Sequence, residues 1–308
     1  MNHLLTIRRM DVGDIEAILE LAKAYKATVE SNGTVVSGPK RTIGLLFFEN
    51  STRTRVSFEQ AASLLGHKCV SFSGSASSMK KGETLKDTIL TLRYEKLEAL
   101  VMRHEASGSC NLAAKYFQGP VVNAGDGRHE HPTQALADAL TIMERKGPIK
   151  GLKIAIVGDV TNSRVARSNA WLLSKLGADV RFIGPRTLVP SLTSKLPVKV
   201  YHDLRTGLHD VDIVMALRLQ RERMDNGTVS VGEFRRMYQI NRSALRGAAP
   251  DALVMHPGPL NRGIEIDDLT ADGPNSAINE QVTNGIYVRM AALTWTLGES
   301  LQKTGSLQ

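Results

Sequence analysis

Ile43-Gly44-Leu45-Leu46-Phe47-Phe48-Glu49-Asn50-Ser51-Thr52-Arg53-Thr54-Arg55 is the stretch whose reading decides the fold. Its first six residues are an apolar run of strand length, and helical patterning follows over 56–65, so the chain passes from strand to helix across a polar, basic junction. Free backbone N–H groups and the positive end of a helix dipole converge at such a junction. Ser51, Thr52 and Thr54 add donors there, and Arg53 can hold two anionic oxygens in a fork, a combination suited to a phosphate. The same residues also read as an ordinary N-cap at Ser51 followed by two solvated arginines. Arg55 lies about 200° further round a helix of 3.6 residues per turn than Arg53, and it is expected to be structural.

Outward from this stretch the same alternation repeats. Strand-like segments at 43–48, 68–72, 99–103 and 121–123 are separated by helical patterns at 56–65, 85–94 and 109–116. A second set of strands is predicted at 153–157, 179–183, 198–202, 212–216 and 252–256. The alternation predicts an α/β protein of two doubly wound parallel-sheet domains joined by helices. The boundary is expected along a helix at 134–145, which ends in Lys146-Gly147-Pro148. A helix at 278–297, with apolar residues at 278, 282, 286, 293 and 297, comes after the second sheet is complete and is expected to return to the first domain. Another helix is predicted over 14–27, with Ile15, Ile18, Leu19, Ala22 and Tyr25 on one face. The serine-rich segment 71–78 reads as a loop before Lys80-Lys81-Gly82-Glu83-Thr84.

Composition narrows the class. No apolar run approaches the roughly 20 residues of a membrane span, and residues 1–9 lack the apolar centre of a secretory signal, so a cytoplasmic protein with no membrane partner is expected. Cys69 and Cys110 stand far apart, outside any Cys-x-x-Cys spacing or Cys/His cluster. They read as small core residues, with neither a disulfide scaffold nor a metal site expected. The net charge of +8 would suit nucleic acid or an acidic small molecule. The basic residues are dispersed and not interleaved with aromatics, which makes nucleic acid the weaker partner.

Four further constellations fall where an open α/β sheet places its ligands, at the carboxyl ends of strands. Arg103-His104 ends a strand; it can point a cation into a crevice, or be a capped or salt-bridged arginine. His131-Pro132-Thr133-Gln134 opens a helix after the Gly125-Asp126-Gly127 turn, and its imidazole and amide suit a carbonyl oxygen as readily as a plain helix start. Gly158-Asp159-Val160-Thr161-Asn162-Ser163-Arg164 occupies the place of a dinucleotide fingerprint but lacks Gly-x-Gly-x-x-Gly, so no nicotinamide cofactor is expected; Arg164 offers a carboxylate fork instead. Arg218-Leu219-Gln220-Arg221-Glu222-Arg223 is either a solvated turn or, with Arg164, a dicarboxylate site. Finally, His256-Pro257-Gly258-Pro259 fixes an extended turn whose carbonyls can accept from an amide or amine.

Together these motifs closely resemble the aspartate carbamoyltransferases, catalytic chains of the aspartate/ornithine carbamoyltransferase superfamily. The likeness runs in order through Phe47–Arg55, Lys81-Gly82-Glu83-Thr84, Val101-Met102-Arg103-His104, His131–Gln134, Ser163–Ser168, Arg218–Arg223 and His256–Pro259. The first and fourth motifs are shared across the superfamily. The last two separate aspartate from ornithine enzymes, whose His-Cys-Leu-Pro segment and Ser-Met-Gly loop are absent here. A His-Pro-Leu-Pro form in some members is His-Pro-Gly-Pro here, which matters little if the backbone makes the contacts.

The resemblance implies transfer of a carbamoyl group from carbamoyl phosphate to the α-amino group of L-aspartate, an early step of pyrimidine (UMP) biosynthesis, with no cofactor and no metal. It implies a carbamoyl phosphate domain of 1–133 with 286–308 and an aspartate domain of 134–285. Ser51, Thr52, Arg53, Thr54 and Arg103 would hold carbamoyl phosphate, with Thr54, Arg103 and His131 around its carbonyl oxygen, and Arg53, Thr54, Arg103 and His131 as the catalytic set. Gln134 and the backbone at Gly258 and Pro259 would hold its amino group. Arg164 and Arg218 would clamp aspartate, with Gln220 and Lys81 beside them. Family members are trimers with shared sites, and Ser77 and Lys81 match residues supplied by the neighbouring subunit. The resemblance leaves room for a regulatory chain or a dihydroorotase as partner.

Overall fold

Residues 42–47 form a strand, β1 (Thr42–Phe47), in which every residue after the first is buried. A run buried on both faces is what a parallel sheet under two helical layers requires. Gly44 sits in the middle of it because a Cβ there would come within 2.8 Å of the side chains of Leu97 and Leu100. The computed structural model describes residues 2–33, 35, 38–73, 82–189, 196–223 and 229–299.

β1 pairs in parallel with β2 (Lys68–Ser73) on one side and β3 (Ala99–His104) on the other, and β3 pairs with β4 (Val121–Asp126). The order β2-β1-β3-β4 means that the connections out of β1 and β3 wind in opposite directions, so the gap between these two strands is a topological switch point. The helices serving this sheet are α1 (Val12–Glu30), α2 (Thr52–Leu64), α3 (Leu85–Tyr94), α4 (Ser109–Tyr116) and the start of α5 (Pro132–Lys146). Leu46, Ile89, Leu92, Leu100, Met102, Phe117 and Val121 are among the residues of its core.

The second sheet follows the same plan. β5 (Lys153–Val157), β6 (Asp179–Ile183), β7 (Lys199–Tyr201), β8 (Ile213–Ala216) and β9 (Leu253–Met255) lie parallel in the order β7-β6-β5-β8-β9, with the switch point between β5 and β8. Its helices include α6 (Arg164–Lys175), α7 (Leu204–Gly207), α8 (Val231–Tyr238) and α9 (Asp268–Ala271). Ala155, Val157, Ile183, Val214, Ala216, Val254 and Ile266 form part of its core.

The chain divides into two compact units, Met1–Leu140 with Thr283–Gln308, and Thr141–Val282. It crosses from one to the other within α5 and returns within α10 (Ile278–Leu297). The returning part of α10 is tied to the first unit by polar contacts. Tyr25 Oη lies 2.7 Å from Thr294 Oγ1, Lys26 Nζ donates to Asn284 Oδ1 at 2.9 Å, and Arg289 Nη1 donates to Ser57 Oγ at 2.9 Å.

The α/β architecture of two parallel sheets is the one expected from the sequence. Two element limits differ in a way that matters. α2 begins at Thr52, not near residue 56, so the polar residues 52–55 are its first turn; they carry helical geometry but none of the apolar signal by which the helix is legible. β4 runs on to Asp126 past the expected 121–123, and its register with β3 shifts between Met102 and His104, leaving Ala124 and Gly125 opposite Arg103 alone. Such a bulge re-aims a side chain at the end of a strand.

Candidate active site

In the first unit, three loops meet at the carboxyl ends of the adjacent strands β1, β3 and β4: the first turn of α2, Arg103, and the segment leading into α5. Ser51 occupies the N-cap position of α2 with extended backbone, yet its side chain makes no capping hydrogen bond. Thr54 is buried, whereas Thr52 and Arg53 are exposed. Arg55 turns away to pair with Glu59 at 3.0 Å, one helical turn on, in keeping with a structural role.

Arg103 is held from two sides. Its Nη2 donates to Glu49 Oε1 at 2.7 Å and its Nη1 to the carbonyl of Ala124, in the bulge, at 3.3 Å. The guanidinium is thus oriented before any ligand arrives. Beside it His104 accepts from Ala106 N–H at 2.8 Å and packs against Phe48, with burial lowering its pKa. A neutral imidazole fits that arrangement.

His131 is buried at the mouth of α5, and the loop before it is fixed by Asp126. That fully buried carboxylate accepts from Gly108 N–H at 2.7 Å, Asn123 Nδ2 at 2.8 Å and Glu130 N–H at 3.2 Å, with His129 Nδ1 3.0 Å away. Glu130 in turn takes the N–H groups of Ile7 and Arg8 at 2.8 and 3.3 Å. Gln134, in the first turn of α5, donates from Nε2 to Asp138 Oδ1 at 2.8 Å. Below lies Arg289, whose guanidinium burial pulls down to about 10 while Asp138 opposes the shift and Arg103 and Arg53 add to it. It remains a cation at neutral pH.

In the second unit, the loops after β5, β8 and β9 are joined by hydrogen bonds. Asp159, fully buried, accepts from Asn162 Nδ2 at 3.0 Å and from the backbone N–H of Gln220 at 3.2 Å, tying the α6 entry to the segment after β8. Asn261 Nδ2 donates to Leu219 O at 3.3 Å, tying in the segment after β9. Arg164 opens α6 and is buried; Ser163 caps that helix, accepting from Ala166 N–H at 3.1 Å. Arg218 forks onto Glu222, one contact being Nη1 to Oε2 at 3.1 Å and the other shorter, and this guanidinium holds the Glu222 carboxyl below its usual range. Arg218 in this state already grips a carboxylate.

The turn at 256–259 is braced by a buried pair. His256 Nδ1 accepts from Gly258 N–H at 2.7 Å, which places the ring proton on Nε2, 3.2 Å from Glu265 Oε1. Glu265 also accepts from Asn261 N–H at 2.5 Å. With the Gly258 N–H used internally, the half-buried Gly258 and exposed Pro259 offer carbonyl oxygens.

The expected residues thus fall into two groups. Ser51, Thr52, Arg53, Thr54, Arg103, His131 and Gln134 gather at the first sheet, and Arg164, Arg218, Gln220, Gly258 and Pro259 at the second. Ser77 and Lys81 lie outside the described residues. Cys110 is buried in the first core, whereas Cys69 is half-buried, and burial pushes its thiol up to about 11, so Cys69 stays protonated at neutral pH. Among the described residues, no group of three or more His, Cys, Asp or Glu is placed to hold a metal ion, and no helix is long and apolar enough to cross a membrane.

Sequence reasoning passed over Glu49, Asp138, Asp159 and Glu222, the carboxylates that orient the site's cations and amides. Two left a signal: Asp138 and Glu222 each stand four residues after the side chain they hold, Gln134 and Arg218. Glu49 meets Arg103, and Asp159 the Gln220 N–H, across a long stretch of chain, and these contacts left none.

The comparisons with known proteins fit this division. Residues 2–144 match the family model for the aspartate/ornithine carbamoyltransferase carbamoyl-P binding domain, and residues 150–296 match that for the Asp/Orn binding domain. The aspartate carbamoyltransferase catalytic subunit of Granulibacter bethesdensis is 51% identical over 296 residues, covering 94% of this chain and 93% of that one. Among solved structures, Trypanosoma cruzi aspartate transcarbamoylase in complex with N-(phosphonacetyl)-L-aspartic acid superposes with a TM-score of 0.86 at 33% identity, over 96% of each chain. Pyrococcus furiosus ornithine carbamoyltransferase gives 0.85 at 30% identity, over 96% of this chain and 97% of that one. With both halves of its length matched and its fold shared, the chain belongs to the aspartate/ornithine carbamoyltransferase family.

Proposed function

We propose that the chain is an aspartate carbamoyltransferase, moving the carbamoyl group of carbamoyl phosphate to the α-amino group of L-aspartate and yielding N-carbamoyl-L-aspartate and phosphate. The observation that carries this reading is the first turn of α2, whose Ser51 side chain makes no capping bond, at a switch point beside Arg103 and His131: groups for a phosphate and donors for an attached carbonyl at adjacent strand ends. Ser51, Thr52, Arg53 and Thr54 would bind the phosphate, Thr54, Arg103 and His131 the carbonyl oxygen, and Gln134 with the carbonyls at Gly258 and Pro259 the amino group. Arg164 and Arg218 would take the two carboxylates of aspartate, with Gln220 and Lys81 assisting.

The chemistry follows from charge. The neutral amine attacks the carbamoyl carbon, a C–N bond forms, and negative charge builds on the carbonyl oxygen. Fixed donors there stabilise this oxyanion more than the ground state, and losing one such donor typically costs on the order of 10²–10³-fold in rate. The C–O bond to phosphate then breaks, and the departing phosphate can take the amine's proton. Aspartate is favoured over ornithine as acceptor because a side-chain ammonium would be set against the cations Arg164 and Arg218.

The family resemblance further supports a cytoplasmic homotrimer serving pyrimidine synthesis, with Ser77 and Lys81 reaching the neighbouring subunit's site. Steady-state carbamoyl transfer to aspartate against ornithine, run beside a native mass determination, tests the reading; preference for ornithine would sink it. Lys81→Ala and Arg53→Ala chains, each inactive alone, should regain activity when hybridised, because one intact site can be rebuilt from two defective subunits. No recovery in hybrid trimers would remove the shared site.

A further inference from the structure

Asp138 is fully buried on α5, one turn beyond Gln134, and accepts the 2.8 Å hydrogen bond from Gln134 Nε2. A side-chain amide is nearly symmetric in shape and offers a donor at one end and an acceptor at the other; a carboxylate only accepts. Asp138 can therefore take only the nitrogen end, and Gln134 Oε1 is the end left over. The charge on Asp138 has its counter-charge in Arg289, which is itself buried, bonded to Ser57 Oγ at 2.9 Å and set 5.3 Å from the centroid of the Phe58 ring.

We infer that Asp138 is a specificity-determining positioning residue: by holding the Gln134 amide with its oxygen towards the ligand, it selects an acyl phosphate whose carbonyl carbon bears –NH2 over the similarly shaped one bearing –CH3. The inference rests on the carbamoyl phosphate reading above. A Gln134 amide turned over would set N–H against N–H and leave both donors unsatisfied on binding, whereas an acceptor there rewards the carbamoyl group alone.

The test is the ratio of kcat/KM for carbamoyl phosphate to that for acetyl phosphate, with aspartate as acceptor. It is measured on the full chain as wild type, Asp138→Asn, Gln134→Ala and the double variant. Asp138→Asn can offer either end to Gln134, and the ratio should fall about tenfold. Gln134→Ala should lower it at least as much, and adding Asp138→Asn to that background should change it no further. A lower rate with the ratio unchanged, or the same loss of ratio with and without Gln134, overturns the inference, since either would mark Asp138 as structural only. Absence of carbamoyl transfer to aspartate in the wild type would overturn the underlying reading and this one with it. Should Asp138→Asn fail to fold, Asp138→Asn combined with Arg289→Gln removes both buried charges and is judged by the same ratios.

Discussion

α2 and α6 each open at the first strand-to-helix turn of a sheet, beside its switch point, and each has serine at the N-cap. Ser163 caps its helix, accepting from Ala166 N–H at 3.1 Å, while Ser51 makes no capping bond. The second unit has satisfied its helix end internally and offers guanidinium forks, Arg164 and Arg218. In the first, the serine side chain at the helix start is not spent on a cap and stands beside Arg53 and Thr54. A tetrahedral phosphate suits a ring of N–H groups and hydroxyls, whereas planar carboxylates suit planar guanidinium groups, so the same topology is equipped for two different anions.

The largest expected effect comes from Arg103→Ala. Arg103 is preoriented by Glu49 and the Ala124 carbonyl, and its loss should lower kcat by on the order of 10²–10³-fold in steady-state carbamoyl transfer. A change in aspartate KM alone would break the comparison. Arg218→Ala comes next: aspartate KM should rise roughly 10- to 100-fold, as for a lost charge-assisted hydrogen bond, with carbamoyl phosphate binding nearly intact by calorimetry. Equal loss of both ligands would mean that the two sheets do not divide the substrates.

Smaller but sharper is the pair of serine variants. Ser163→Ala should destabilise the protein by about 1 kcal/mol in thermal or denaturant unfolding, the usual cost of a lost N-cap. Ser51→Ala should leave unfolding unchanged and instead raise the KM for carbamoyl phosphate a few-fold. Matching stability losses for the two would erase the contrast between the helix ends.

The smallest effect concerns pH. Arg218 holds the Glu222 carboxyl below its usual value of 4.5, so the folded state binds this proton less tightly than the unfolded chain. Glu222 therefore contributes stability above pH 4.5 that is lost as pH falls through its lowered folded value. The pair is partly exposed, so the effect should be slight and reduced by salt. Glu222→Gln should flatten the stability profile only in this acid range; a change confined to neutral pH would contradict the assignment.

Much of this was legible in the chain, for identifiable reasons. The run 43–48 marked β1 to within one residue because a strand buried on both faces must be apolar throughout. The start of α2 was legible only through the N-cap reading of Ser51 and not from periodicity, because Thr52–Arg55 make its first turn without an apolar face. Arg103 was visible as a strand-end cation, but whether it pointed outwards or into an ion pair was not. The bulge at Ala124 and the carboxylate of Glu49 decide that, and both belong to other strands and loops.

By itself, then, the sequence determined the two parallel sheets, the polar residues at their strand ends and the family they resemble, since periodicity and local motifs are properties of neighbouring residues. Only the tertiary structure decided which serine caps and which does not, and which distant carboxylates orient Arg103 and join the loops of the second sheet. Glu49 acts on Arg103, Asp126 on the Gly108 N–H and Asp159 on the Gln220 N–H through hydrogen-bond directions a few ångströms long, and these are fixed by how distant segments pack, not by the order of residues along the chain.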